Sequence, residues 1–160
     1  MINQETIDTM LRTAREAMRH AYTPQTNLAV GCCVLAEDGT LFSGCNIENA
    51  SPALSCCAES VTMYKAISEG KREFDALAVI ADTVDPFVPC GACLQLMAEF
   101  GVHDLIVANV KGDIRVRPLD KVMPCAHAML SNHATNHDEV DEDDIESKLN
   151  LFPMMDDEGF

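Results

Sequence analysis

The sequence predicts an α/β domain built on a mixed sheet of about five strands with helices packed against it. Three observations lead there. The chain has 160 residues, 48% of them hydrophobic, which suits one compact domain with a substantial core. Its apolar pattern runs from a helix to a pair of strands and then to strands and helices in alternation. None of its apolar runs approaches the ~20 residues that span a bilayer.

Residues 3–20 read as an amphipathic helix, with Ile7, Met10, Leu11, Ala14, Ala17 and Met18 at helical spacing before Thr23-Pro24 interrupts it. Leu28 to Ala36 is a continuous apolar run, the pattern of a strand buried on both faces. Asp38-Gly39 signals a turn, and Thr40 to Cys45 returns as the second arm of a hairpin. Asn46 to Ser55 is a polar loop containing Pro52. From Cys57 the pattern is helical through Val61, Met63, Tyr64 and Ile67, stopping at Gly70. Ala76 to Ala81 reads as a strand. Pro89 marks a helix start, and Cys90 to Phe100 continues helically until Gly101. Leu105 to Val110 and Ile114 to Val116 flank Lys111-Gly112-Asp113 as two short strands. Pro118 to Leu130 is a mixed terminal segment. Beyond Asn132 the periodicity fades, and the acidic run Asp138 to Glu146 is expected to be solvated or disordered. The apolar island Leu149 to Met155 suits docking on the domain or on another subunit. The expected division is a folded domain at 1–131 and an acidic extension at 132–160.

The net charge of −15 argues against a nucleic-acid partner, because affinity for a polyanion rests on Lys and Arg. The charge is uneven: residues 131–160 hold ten acidic residues and one base, Lys148. The N-terminus lacks a basic region followed by an apolar stretch, so the expectation is a soluble, cytoplasmic protein with no membrane partner. In that compartment the eight cysteines are expected as thiols, with Cys32, Cys33, Cys45 and Cys56 as small core residues.

The remaining cysteines carry the chemistry. Cys57-Ala58-Glu59 pairs a thiol with a carboxylate two residues on, and Pro89-Cys90-Gly91-Ala92-Cys93 supplies two more thiols one helical turn apart. Both segments fall at helix starts, where free N–H groups and the helix dipole favour thiolates. Three thiolates on Zn²⁺ leave its fourth position open to water, the layout of a catalytic site. Glu59 then stands near enough to move that water's protons without being a ligand. Competing readings are a redox Cys-x-x-Cys pair, or a closed structural zinc with Cys56 or Cys125 as fourth ligand. A Cys-x-Glu followed by Pro-Cys-x-x-Cys is, however, the general pattern of nucleobase deaminases.

From about Ala14 to Leu130 the chain resembles the small homotetrameric cytidine deaminases. The matching stretches are Asn46-Ile47-Glu48-Asn49-Ala50, Cys57-Ala58-Glu59, Lys65-Ala66-Ile67-Ser68-Glu69-Gly70 and Pro89-Cys90-Gly91-Ala92-Cys93. The resemblance implies a three-layer α/β/α fold, zinc on Cys57, Cys90 and Cys93, Glu59 as proton shuttle, and a homotetramer with sites near its subunit interfaces. It further implies that Asn46 and Glu48 bind the sugar hydroxyls of a nucleoside and that Ala58 contacts the base. The chain departs from the family around the pocket. Leu28 stands for an aromatic residue, Pro52 for a tyrosine, and Ser60 and Leu94 for arginines. His127 stands for the phenylalanine that a neighbouring subunit places over the base. Ser60 and Leu94 leave the anionic site fewer donors to its sulfurs, implying a weaker enzyme or one that uses different donors.

The expected activity is therefore zinc-dependent hydrolytic deamination of cytidine or deoxycytidine. The alternatives are deamination of a modified or antibiotic cytosine nucleoside, and a catalytically idle zinc protein whose acidic extension binds a partner. Glu59 weighs against idleness, because a structural zinc has no use for it.

Overall fold

Asn3 opens the first helix, α1 (Gln4–Met18), by accepting the Thr6 N–H at 2.8 Å and so satisfying one of the orphan donors of the first turn. A computed structural model describes residues 2–124 of the chain. After α1 come β1 (Val30–Ala36) and β2 (Leu41–Cys45), a 3₁₀ turn at Pro52–Leu54, α2 (Ala58–Ser68), β3 (Phe74–Ala81), α3 (Gly91–Glu99), β4 (Asp104–Asn109), β5 (Ile114–Pro118) and the short α4 (Leu119–Val122). The strands form one sheet in the order β2-β1-β3-β4-β5. Only β3 and β4 pair in parallel, with α3 as the crossover between them; the other pairs are antiparallel.

Alternation along the central strands divides the core into two clusters. Cys33, Ala76, Ala78, Ile80, Ile106 and Ala108 pack with Ile7, Met10, Leu11 and Ala14 of α1. Cys32, Val34, Leu77, Val79, Leu105 and Val107 pack on the other face with Met63 and Ala66 of α2 and with Met97 of α3. Because both faces are covered, β1 and, from Ala76 onward, β3 are apolar rather than alternating. The result is the three-layer α/β/α arrangement expected from the sequence. Each large side chain buried in this way contributes roughly 1.5–3 kcal/mol.

Two strand glycines set how closely the helices approach. A Cβ on Gly31 would lie 2.0 Å from the Ala14 carbonyl oxygen, and one on Gly44 would lie 2.7 Å from Thr62 Oγ1. Gly31 therefore seats α1 on one face of the β1–β2 hairpin, and Gly44 seats α2 on the other.

β1 starts at Val30 rather than Leu28, because Asn27 adopts a left-handed conformation (φ 56°) and closes a turn by donating to the Thr23 carbonyl. β3 starts two residues earlier than the apolar run, since Phe74 pairs with Ala36 across a register shift. The core assignment of two cysteines is corrected. Cys32 and Cys33 are buried, but Cys45 is half-buried and Cys56 is exposed. Cys56 lies in a loop whose backbone pairs with Ile47, which leaves its side chain outside the core. Along the outer edge of the sheet, Arg115, Arg117 and Pro118 of β5 are exposed. No helix among the described residues is long and apolar enough to cross a membrane. Cys125, His127, the extension 132–160 and its island Leu149–Met155 lie outside the described residues.

Candidate active site

The site is assembled from two helix starts. Cys57 is the N-cap of α2 and Cys90 the N-cap of α3, and both have extended backbone (φ −67°, ψ 151° and φ −69°, ψ 163°). Their carbonyls accept the first helical bonds, from Val61 N–H at 3.1 Å and Leu94 N–H at 3.0 Å. The loop before α2 is pinned by paired backbone bonds between Ile47 and Cys56, at 3.0 and 2.9 Å. Cys93 follows in the first turn of α3. The three Sγ atoms of Cys57, Cys90 and Cys93 all lie within 4.8 Å of one another. Four-coordinate zinc at Zn–S of about 2.3 Å sets its sulfurs roughly 3.8 Å apart, so three thiols at this spacing fit the metal. The two helix N-termini favour the thiolates that coordination needs.

Glu59 is 2% exposed. Burial raises its pKa, opposed by a bond from its own backbone N–H. The sulfurs respond differently. Burial pushes Cys93 up, followed by the negative charge of Glu59, while the Ser60 hydroxyl pulls it down. Burial and then Glu59 also raise Cys57. For Cys90 burial is outweighed by the N–H groups of Cys93 and Ala92 and by the neighbouring thiols, so its pKa is lowered. In the absence of metal the cluster resists holding three negative charges beside Glu59, whereas a bound divalent cation deprotonates its thiols outright. Beneath lies Cys32, fully buried, raised by that burial and then by Glu59, and hydrogen-bonded to Thr62.

The other residues anticipated for binding hold the neighbouring loops. The Asn46 amide donates to the Leu28 carbonyl and accepts the Val30 N–H, both at 2.8 Å, and so ties the end of β2 to the start of β1. Glu48 accepts from Gln25 N–H at 2.7 Å and from the Thr26 hydroxyl. The Thr26 hydroxyl, then the Gln25 N–H, lowers the Glu48 pKa. Leu28 is half-buried and packs on the core cluster below α2 and α3. Ala58 is wholly buried, and its carbonyl accepts the Thr62 hydroxyl at 2.7 Å. Pro52 opens the 3₁₀ turn, and Leu94 is a core residue.

The expected shortage of donors to the sulfurs is met in part: Ser60 Oγ lies 3.5 Å from Cys93 Sγ. Thr26, Cys32 and the Ser60–Cys93 contact were not anticipated. Thr26 has a local signal, since Thr-Asn after Pro-Gln suits a turn with Asn in the left-handed region. The other two join residues far apart in the chain.

Three thiols gathered over a buried glutamate, on a mixed sheet between helical layers, define the class: a zinc-dependent hydrolase acting on a cyclic amidine. The family model for the cytidine and deoxycytidylate deaminase zinc-binding region matches residues 4–109. Over 122 residues the chain is 43% identical to a cytidine deaminase of Sporosarcina psychrophila, covering 75% of this chain and 90% of that one. It is 42% identical over 119 residues to a cytidine deaminase of Halalkalibacterium halodurans, covering 73% and 90%. The crystal structure of cytidine deaminase from Burkholderia pseudomallei has a TM-score of 0.73 at 36% identity and covers 79% of this chain and 100% of that one. The chain belongs to the cytidine and deoxycytidylate deaminase family.

Proposed function

We propose that this chain hydrolyses cytidine and deoxycytidine to uridine, deoxyuridine and ammonia, with Cys57, Cys90 and Cys93 holding zinc and Glu59 moving protons. The observation that carries the reading is the buried Glu59 carboxylate beside the three-thiol cluster. When bound, zinc supplies Lewis-acid activation of a water as nucleophile at neutral pH. Glu59 would take a proton from the attacking water and deliver it to the ring nitrogen N3, and a second proton carried by Glu59 to the exocyclic amine would let it leave as ammonia. Burial raises the Glu59 pKa, and a carboxylate raised in this way takes up a proton more readily than an exposed one.

In this reading Asn46 and Glu48 meet the sugar hydroxyls, the Ala58 backbone meets the base, and Leu28 and His127 flank it. The chain is a cytoplasmic homotetramer in which a neighbouring subunit completes each site. Support for assembly comes from the exposed apolar residues on the loops around the cluster, Tyr22 at 59%, Ile47 at 44%, Leu54 at 66% and Val88 at 56% exposure. Large apolar side chains left exposed suit an interaction surface.

The test is ammonia release by the zinc-loaded full chain with cytidine, deoxycytidine, cytosine, substituted cytidines and adenosine, alongside light scattering for mass. Turnover of the first two nucleosides at a four-chain mass is expected. No release from any of these compounds would sink the enzymatic reading.

A further inference from the structure

We infer that Ser60 is a positioning residue of the metal centre: its hydroxyl donates to the Cys93 thiolate and so strengthens zinc retention. The inference rests on the three-thiolate reading above. Ser60 Oγ stands 3.5 Å from Cys93 Sγ, across the junction of α2 and α3. In the thiol form either atom can donate, but a coordinated Cys93 has no proton, so only Ser60 can.

A helical serine ordinarily bonds back to a carbonyl three or four residues earlier, as Thr62 does to the Ala58 carbonyl at 2.7 Å. Ser60 turns its hydroxyl to the Cys93 sulfur.

The need for such a donor follows from charge. Three thiolates and Glu59 exceed the charge of one divalent ion by two. The N–H groups of Cys93 and Ala92 bond to Cys90, and the Ser60 hydroxyl bonds to Cys93. Partners in a metal's outer shell typically change affinity by about 10- to 100-fold when removed; a neutral hydroxyl on sulfur belongs at the lower end.

The experiment compares wild type with Ser60→Ala, Ser60→Thr and Ser60→Val by zinc competition against a chromophoric chelator and by the absorption spectrum of the Co²⁺-loaded full chain. Thr and Val are nearly isosteric, so their difference isolates the hydroxyl even where the Ala variant is unstable. Expected are a roughly tenfold weaker zinc affinity for Ala and Val, a shifted sulfur-to-cobalt charge-transfer band in both, and rescue of both readouts by Thr. Equal affinity and an unchanged band in Val and Thr would overturn the assignment. If wild type shows no sulfur-to-cobalt band, the three-thiolate reading fails first, and this inference with it.

Discussion

Cys57 and Cys90 hold equivalent places: each caps its helix with extended backbone, and each brings its thiol to the shared cluster. Their positions lie 33 residues apart in the chain, so a metal held by both cross-links α2 to α3. Replacing either with Ala is expected to abolish stoichiometric zinc, measured by elemental analysis. Chelation of the wild type is expected to lower its melting temperature, and zinc to restore it, by mass action on the folded state. A melting temperature indifferent to chelator would mean that the cluster holds no metal.

Glu59→Gln separates metal binding from proton transfer. The amide keeps the shape of the buried side chain but cannot accept a proton at neutral pH. Retained zinc with turnover reduced by about 10²- to 10⁴-fold is the expected outcome. Near-normal turnover would remove Glu59 from the mechanism.

Glu48 yields a pH prediction. The Thr26 hydroxyl, then the Gln25 N–H, hold its pKa below the ordinary carboxylate value. A group lowered on folding stabilises the fold fully above its unfolded pKa, near 4.3 for Glu. That contribution is lost as pH falls through the lowered folded value. Thr26→Val removes the largest cause, so the variant should be less stable than wild type above about pH 5, and the difference should shrink as pH falls through the lowered folded value of Glu48. Melting curves between pH 3 and 6 on the two proteins test this, and superimposable profiles would count against it.

The strand glycines predict an asymmetry in stability. At Gly44 an added Cβ meets the Thr62 hydroxyl at 2.7 Å and Val61 Cγ1 at 3.0 Å, side-chain atoms that can give way. Gly44→Ala should cost about 1–3 kcal/mol. At Gly31 the obstacle is the Ala14 carbonyl oxygen, fixed in α1 at 2.0 Å. Gly31→Ala should therefore cost about 3 kcal/mol or more. Denaturant titration ranks the two. Because Gly44 seats the helix that carries Cys57 and Glu59, its variant should also lose turnover beyond what its stability explains.

What was legible in the sequence was local. The five strands and the first three helices announced themselves in the apolar pattern, with shifts of at most two residues at their ends, whereas the short α4 lay in a segment that read only as mixed. The two cysteine segments were legible because their spacing is a property of one helix start. Contacts between distant residues were not. Glu48 meets Thr26 across 22 positions and Ser60 meets Cys93 across 33; nothing local in either segment requires the other. Ser60 read as a donor lost, because residue type alone does not show that the fold sets its hydroxyl beside the Cys93 sulfur. Cys56 misled for a related reason: its composition suits a core, but its place in a bridged loop turns it outward.

The outer strand β5 bears on how copies of this chain can join. Arg115 and Arg117 project from it and Pro118 ends it, and charged side chains and proline on an edge discourage the addition of another strand. On this side the sheet resists lateral growth, so the route to fibres built by strand addition is blocked there. Large exposed apolar side chains lie on the loops that lead into the thiol segments, Leu54 before Cys57 and Val84 and Val88 before Cys90.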